Sequence, residues 1–209
     1  VKRARRAEVD RKRLEARIEK GDQSVVRAFH SLLDLLGGWG YVDGWELTAK
    51  GRRLRFVYNE LDLLLTESIE RGLLDQLNAT ELSAVASVFT FESRRVDAEP
   101  APVVGSIDER IREIAQLATE LNRAERAKKL PETRFPDSGF AMVAHAWSAG
   151  HDLEDLFDDD MAAGDFVRNC RQLIDVLRQL RDEFPALRAV AAEAVKRMDR
   201  GVVAAGGRA

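Results

Sequence analysis

Residues 163–183 carry the pattern that most constrains how this chain folds. Drawn on a helix of about 3.6 residues per turn, one flank of the stretch is apolar and the opposite flank is polar. The apolar flank consists of Phe166, Cys170, Leu173, Ile174, Val176, Leu177 and Leu180. The polar flank consists of Arg168, Arg171, Gln172, Asp175, Arg178, Gln179 and Asp182. The spacing predicts a helix over 164–183 that packs one flank into a core and presents the other at the surface.

The apolar residues before this stretch also recur at helical spacing, which predicts a largely helical protein. A helix predicted for 25–36 ends at Gly37-Gly38, and Asp43-Gly44 then predicts the two-residue turn of a short β-hairpin. A helix, a hairpin and a further helix are typical of the second half of a winged-helix unit.

The domain organisation follows from these elements. We predict an all-α fold, with a winged-helix remnant and its short β-hairpin over 23–58 and an orthogonal bundle of about seven helices over 59–209. We predict a basic helix over residues 1–22, because residues 1–20 contain nine basic and four acidic side chains. The chain opens without Met in the middle of this helix, so we expect it to be a fragment of a longer protein.

Short polar motifs predict where other helices begin and end. The pattern over 52–77 is helical, with a break near Asn59. Asn78 or Thr80 is expected to cap the following helix, and residues 106–109 read as a capping box. The tail from residue 202 is expected to be frayed.

Composition limits the class of protein and its compartment. The net charge of −3 and an apolar fraction of 45% are typical of a globular protein, although the basic N-terminal segment could still serve a nucleic acid. Cys170 is the only cysteine, so no internal disulfide can form, and its position on the apolar flank predicts a buried thiol in a reducing cytoplasm. No apolar run approaches the roughly 20 residues of a membrane span.

The usual signatures of catalysis are absent from this sequence. It contains no glycine-rich phosphate loop and no DExH box, and the spacing of His145 and His151 matches no common zinc motif. We therefore predict no catalytic site and no metal site within this chain. Trp39, Trp45 and Trp147 could stack on nucleic-acid bases, but packing is the favoured interpretation of all three.

Several stretches, in this order, resemble the C-terminal (DSHCT) domain of DExH-box RNA helicases of the superkiller and exosome-associated type. They are LTAKGR at 47–52, ELDLLLTE at 60–67, ASVFTFE at 86–92 and the segment 143–180, with a weaker match at 199–203. The abundance of Ala and Arg resembles an actinobacterial HelY-type member.

The resemblance implies a function for the amphipathic helix. In this family the helix that matches 164–183 is the ratchet helix, which lies between two ATPase lobes and contacts the single strand during 3'-to-5' unwinding. Implied partners are single-stranded RNA and ATPase lobes upstream in the same chain, which would bind ATP and Mg. The implied nucleic-acid-binding residues are Arg168, Arg171, Gln172, Asp175, Arg178 and Glu92. Gln172 stands where relatives have an arginine, so it can hydrogen-bond a base or sugar but supplies no charge. Residues 1–20 resemble the end of an insertion stalk.

Two other interpretations stay open from the residues alone. The polar flank of 164–183 could be an ordinary solvated face held by surface pairs of the Arg168–Asp175 type. Alternatively, the chain could be a winged-helix regulatory or protein-interaction module that binds duplex DNA or a protein partner through its basic arm or its wing. A protein that binds duplex DNA should carry several Arg or Lys side chains on its recognition helix. A helicase accessory domain should instead bind single strands weakly, and this binding should depend strongly on salt.

Overall fold

The computed structural model describes residues 24–93, 103, 105–156 and 163–205, and the predicted basic helix over 1–22 lies outside these ranges. Within them the fold is mostly helical, with one two-stranded antiparallel hairpin, as predicted. The elements are α1 (24–38), β1 (Val42–Asp43), β2 (Glu46–Leu47), α2 (Ala49–Leu54), α3 (Asp62–Glu70), α4 (Ala79–Ser87), α5 (Gly105–Ala127), α6 (Ala141–Ala149), α7 (Ala163–Glu183), α8 (Arg188–Met198) and α9 (Gly201–Ala205). None of the helices in the described ranges has both the length and the apolar character needed to cross a bilayer.

The hairpin turn lies one residue later than the sequence predicts. Val42 pairs with Leu47 and Asp43 pairs with Glu46, so the turn residues are Gly44 and Trp45 rather than Asp43-Gly44. Gly44 has a φ of +60°, a conformation that glycine adopts without strain. The shift places Trp45 at the tip of the hairpin, outside the core, where its ring stacks on Phe29 at 6.1 Å and 75% of its surface stays exposed.

Several predicted helix ends also move. The left-handed residue that ends α1 is Gly40, with a φ of +76°, rather than Gly37 or Gly38. Helix α3 stops at Glu70 instead of continuing to residue 77, because Gly72 adopts a φ of +73°. The prediction for α4 is confirmed, since Asn78 forms a capping box with Glu81.

The capping box predicted at 106–109 is wrong. Ser106 lies inside α5, which begins at Gly105, and its hydroxyl donates a hydrogen bond of 2.8 Å to Glu81 Oε1. The side chain thereby ties the start of α5 to the first turn of α4.

Helix α4 is the centre of the bundle. Its side chains from Leu82 to Ser87 are fully buried, and it packs against α5, α6, α7 and α8. Its buried hydroxyls are satisfied locally, because Ser83 and Ser87 donate to the carbonyls of Ala79 and Ala84 within the same helix. Because α4 is buried on every side over 82–87, it fixes the positions of the helices around it, including α7.

The C-terminal segment is more ordered than predicted. Residues 201–205 form α9, which packs on α7, and Val203 is buried. The prediction of a frayed tail is therefore wrong for these residues, because the burial of Val203 depends on α7, which precedes it in the chain by some twenty residues or more.

Candidate nucleic-acid interface

The inner flank of α7 is locked into the bundle. All seven apolar residues predicted for this flank are buried, which confirms the amphipathic pattern. Asn169 is buried with them at 7% exposure, although the pattern did not place it there. The rings of Trp147 and Phe140 pack against Phe166 at centroid distances of 5.1 and 6.1 Å, so the start of α7 is held by an aromatic cluster.

The outer flank of α7 carries a row of polar side chains along about 15 Å of the helix. Four members of the row are exposed and one, Arg171, is half-buried. We refer to these residues as the α7 polar row, which consists of Arg168, Arg171, Gln172, Asp175 and Arg178. Within the described part of the chain no helix covers the exposed members, so the row is accessible from solvent.

Short-range ion pairs already engage two arginines of the row. Arg168 pairs with Asp165 at 2.8 Å, and Arg178 lies 3.4 Å from Asp175 and 3.6 Å from Asp199. They are surface pairs, as the solvated-face interpretation implies, but they do not join Arg168 to Asp175. Exposed pairs of this kind contribute at most about 1 kcal/mol each, so an incoming phosphate can compete for either guanidinium.

A groove of about 340 Å³ runs beside the row. Arg171, Asp175 and Arg178 line one side of it, and Asp199 and Val203 line the other. The Arg171 guanidinium lies 3.5 Å from the carbonyl oxygen of Val203, at the limit of a hydrogen bond. Sequence reasoning missed this groove because it expected the tail from residue 202, which contains Val203, to be frayed.

Glu92 is exposed, but its contacts do not connect it to the α7 polar row. No hydrogen bond or ion pair joins it to the row among the described residues. Its neighbour Phe91 stacks on Phe140 at 5.6 Å, and Asp137 accepts a 2.7 Å hydrogen bond from the backbone N–H of Ser93. The backbone on both sides of Glu92 is therefore fixed to the segment that packs against the start of α7.

A buried carboxylate joins the hairpin segment to the bundle. Glu67 on α3, only 6% exposed, accepts hydrogen bonds from Tyr41 at 2.8 Å and Arg71 at 3.0 Å, and it pairs with Lys50 at 2.5 Å. Burial would raise the pKa of Glu67, but the three donors, Lys50 foremost, outweigh it and hold the pKa below its usual range. Arg71 also pairs with Glu120 on α5 at 2.8 Å, which extends the network across three helices.

A second network connects α6 to the C-terminal segment. The indole N–H of Trp147 donates to the carbonyl oxygen of Met198 at 2.9 Å. The Arg200 guanidinium lies 3.5 Å from the Trp147 ring centroid and donates to the carbonyl oxygens of Trp147 and His151. The segments 143–180 and 199–203, which carry part of the resemblance, are thus in direct contact.

The described residues offer no cluster of three or more His, Cys, Asp and Glu side chains that could hold a metal ion. Burial raises the pKa of the Cys170 thiol to about 12, so the side chain is neutral at physiological pH.

Comparison with known proteins identifies the family. Over 218 residues the chain is 33% identical to "Probable helicase HelY" of Mycobacterium tuberculosis (strain ATCC 25618 / H37Rv), covering 95% of this chain and 24% of that protein. The "Probable helicase HelY" of Mycobacterium leprae (strain TN) is 31% identical over 210 residues, which is 91% of this chain and 23% of that protein. "mRNA transport homolog 4" of Caenorhabditis elegans is 24% identical over 131 residues, which is 60% of this chain and 13% of that protein.

These matches confirm the resemblance to an actinobacterial HelY-type helicase. The chain spans about a quarter of the length of the HelY relatives. The DSHCT (NUC185) domain model matches residues 44–205, which is most of the chain. This chain belongs to the DSHCT (NUC185) domain family.

Proposed function

We propose that this chain is the C-terminal accessory domain of an ATP-dependent RNA helicase and guides single-stranded nucleic acid along the α7 polar row during 3'-to-5' unwinding. Membership of the DSHCT family and similarity to proteins named probable helicases support the helicase context. The observation that carries the proposal is the division of α7 into a fully buried inner flank and an exposed polar outer flank.

A nucleic-acid strand that slides through the enzyme needs a rigid surface that binds it weakly. The buried flank of α7 fixes the helix, so contacts on the other flank hold constant positions while the strand advances. Gln172 can exchange hydrogen bonds with base or sugar edges, and the paired guanidiniums of Arg168 and Arg178 are partly neutralised by carboxylates. Such a row binds each phosphate weakly, which suits sliding better than a dense cluster of cations does.

ATP and Mg would be bound by the part of the longer protein that lies outside this chain, because this sequence has no phosphate-binding loop. The ATPase lobes would supply the movement, and this domain would supply the surface along which the strand travels. A cytoplasmic location accords with a single, buried, protonated cysteine.

The duplex-binding interpretation has less support. Helix α1, which would be the recognition helix of a winged-helix reader, contains a single arginine, Arg27, and no lysine, and it also contains Asp34. A helix that enters the major groove ordinarily carries several cationic side chains. The charge pattern therefore favours a single strand as the ligand.

Fluorescence anisotropy of the 209-residue chain tests the proposal. We expect weak binding of a labelled single-stranded oligoribonucleotide of about 12 nucleotides, without preference for a blunt duplex of the same length. With two or three phosphate contacts, the logarithm of the affinity should fall with the logarithm of salt concentration at a slope of about −1.4 to −2.1.

A matched pair of variants locates the binding surface. Arg168→Ala should lower single-strand affinity about fivefold, equivalent to ~1 kcal/mol. Arg197→Ala removes the same charge and a similar intrahelical ion pair, 2.8 Å from Arg197 to Glu193, but on α8. Equal losses for both variants, or tight preference for the duplex, would contradict the proposal.

A further inference from the structure

Tyr58 is the most exposed of the large apolar and aromatic side chains in the described ranges, with 76% of its surface accessible. It lies in the turn between α2 and α3. No ring or cation contact holds the phenol among the residues that the structure describes. Most of the ring is therefore accessible to a ligand that stacks on it.

The backbone beneath this ring is fixed rather than loose. The N–H of Tyr58 donates a 2.7 Å hydrogen bond to Oε1 of Gln179 on α7, a contact between residues 121 positions apart. On one side Val57 is buried and bonds back to Leu54, and on the other Asn59 accepts from the N–H of Leu61 at 2.7 Å. The turn therefore holds the backbone of Tyr58 in one place relative to α7.

The position of Tyr58 continues the α7 polar row. Gln179 follows Arg178 directly and lies two turns, about 10 Å, beyond Gln172 along the helix. Arg55 is exposed near the same turn, and its guanidinium lies 4.5 Å from the ring centroid of Phe56. An aromatic face, a nearby cation and a row of polar groups are the parts that single-strand-binding surfaces combine.

We infer that Tyr58 is a stacking platform for a base of single-stranded nucleic acid, at the end of the α7 polar row nearest to Gln179. The inference rests on the proposed function, because it extends the same strand path. Bases of any sequence can stack on the ring, so this contact holds the strand without reading it. A protein partner is less suited to this place, because Arg55 and Glu60, which lie close to Tyr58 along the chain, are exposed and charged.

Fluorescence of an oligoadenylate that contains 2-aminopurine tests the inference, because stacking quenches this base. The wild-type chain should quench the probe on binding, and Tyr58→Ala should abolish the quenching and lower affinity between about 5-fold and 100-fold. Tyr58→Phe keeps the ring and should stay within about twofold of the wild type. Far-ultraviolet circular dichroism should be unchanged, since Tyr58 is 76% exposed and contributes little to the core.

Trp45→Ala is the matched control. Trp45 is equally exposed at 75% but lies at the tip of the hairpin, so its removal should leave quenching and affinity unchanged. A loss for Trp45→Ala without a loss for Tyr58→Ala would overturn the inference, as would equal losses for Tyr58→Phe and Tyr58→Ala.

The outcomes separate this inference from the proposal on which it rests. If Arg168→Ala weakens binding and Tyr58→Ala does not, the strand path along α7 stands and the stacking platform is refuted. If the wild-type chain binds no single strand at all, both are refuted.

Discussion

Lys50 Nζ lies 2.5 Å from Glu67 Oε2, and this ion pair joins two of the stretches that identify the family. Lys50 belongs to the segment 47–52 beside the hairpin, and Glu67 ends the segment 60–67 on α3. Tyr41 donates to the same carboxylate oxygen at 2.8 Å. The similarity in these segments therefore reflects the contacts that hold the fold together, whereas the proposed strand contacts lie elsewhere, on the outer flank of α7.

Glu67→Gln should lower the free energy of unfolding by about 2 kcal/mol, because it removes the charge that two cations and a buried hydroxyl share. Urea denaturation measures the loss. Glu70→Gln is the control on the same helix, since Glu70 pairs with Arg53 at a more exposed site and should cost no more than about 1 kcal/mol. Equal costs for the two variants would refute a special role for Glu67.

The same carboxylate should make the fold sensitive to acid. The pKa of Glu67 is lowered in the folded chain, so its contribution is fully present above the unfolded glutamate pKa of about 4.3 and is lost as pH falls through the lower folded value. The difference in unfolding free energy between the wild type and Glu67→Gln should therefore be constant from pH 7 to about pH 5. It should narrow below about pH 4, and a difference that stays constant there would contradict this assignment.

Gly51→Ala should destabilise the chain by about 2 kcal/mol or more. A Cβ at this position would lie 2.0 Å from the carbonyl oxygen of Tyr41, and that backbone atom cannot move without disturbing the hairpin. Gly38→Ala is the matched control, because a Cβ there meets no atom within 4 Å. Thermal unfolding should show a lowered midpoint temperature for Gly51→Ala and an unchanged midpoint for Gly38→Ala.

Cys170 should be unreactive in the folded chain. Its side chain is fully buried, and burial raises its pKa to about 12, so almost no thiolate is present near pH 8. Reaction with Ellman's reagent should be at least about a hundredfold slower than in the chain unfolded by guanidinium. Rapid labelling of one thiol per folded chain would show that α7 does not pack as described.

The sequence predicts α7 well because periodicity and burial agree along its whole length. Helix ends and the hairpin turn are less predictable, because pairing of Asp43 with Glu46 decides which residues form the turn, and local preference for Asp43-Gly44 does not. Competition of this kind between local and tertiary contacts shifts an element by one or a few residues.

Two parts of the candidate site had no signal in the periodicity of the sequence. Val203 becomes ordered only because α7 covers it, and Tyr58 is tied to Gln179 by a hydrogen bond across 121 residues of chain. Neither contact produces a regular spacing of apolar or polar residues that can be recognised in the sequence. The polar row itself is visible in the sequence, but the groove and the aromatic ring at its end require the fold.

The most direct test of the strand path is photo-crosslinking at Gln172. The 209-residue chain would carry p-benzoylphenylalanine in place of Gln172, or in place of Lys196 on the exposed side of α8 as the control, and would be irradiated with a labelled single-stranded oligoribonucleotide. We expect a covalent adduct from position 172 and none above background from position 196. Adducts from position 196 alone, or equally from both positions, would contradict a path along the α7 polar row.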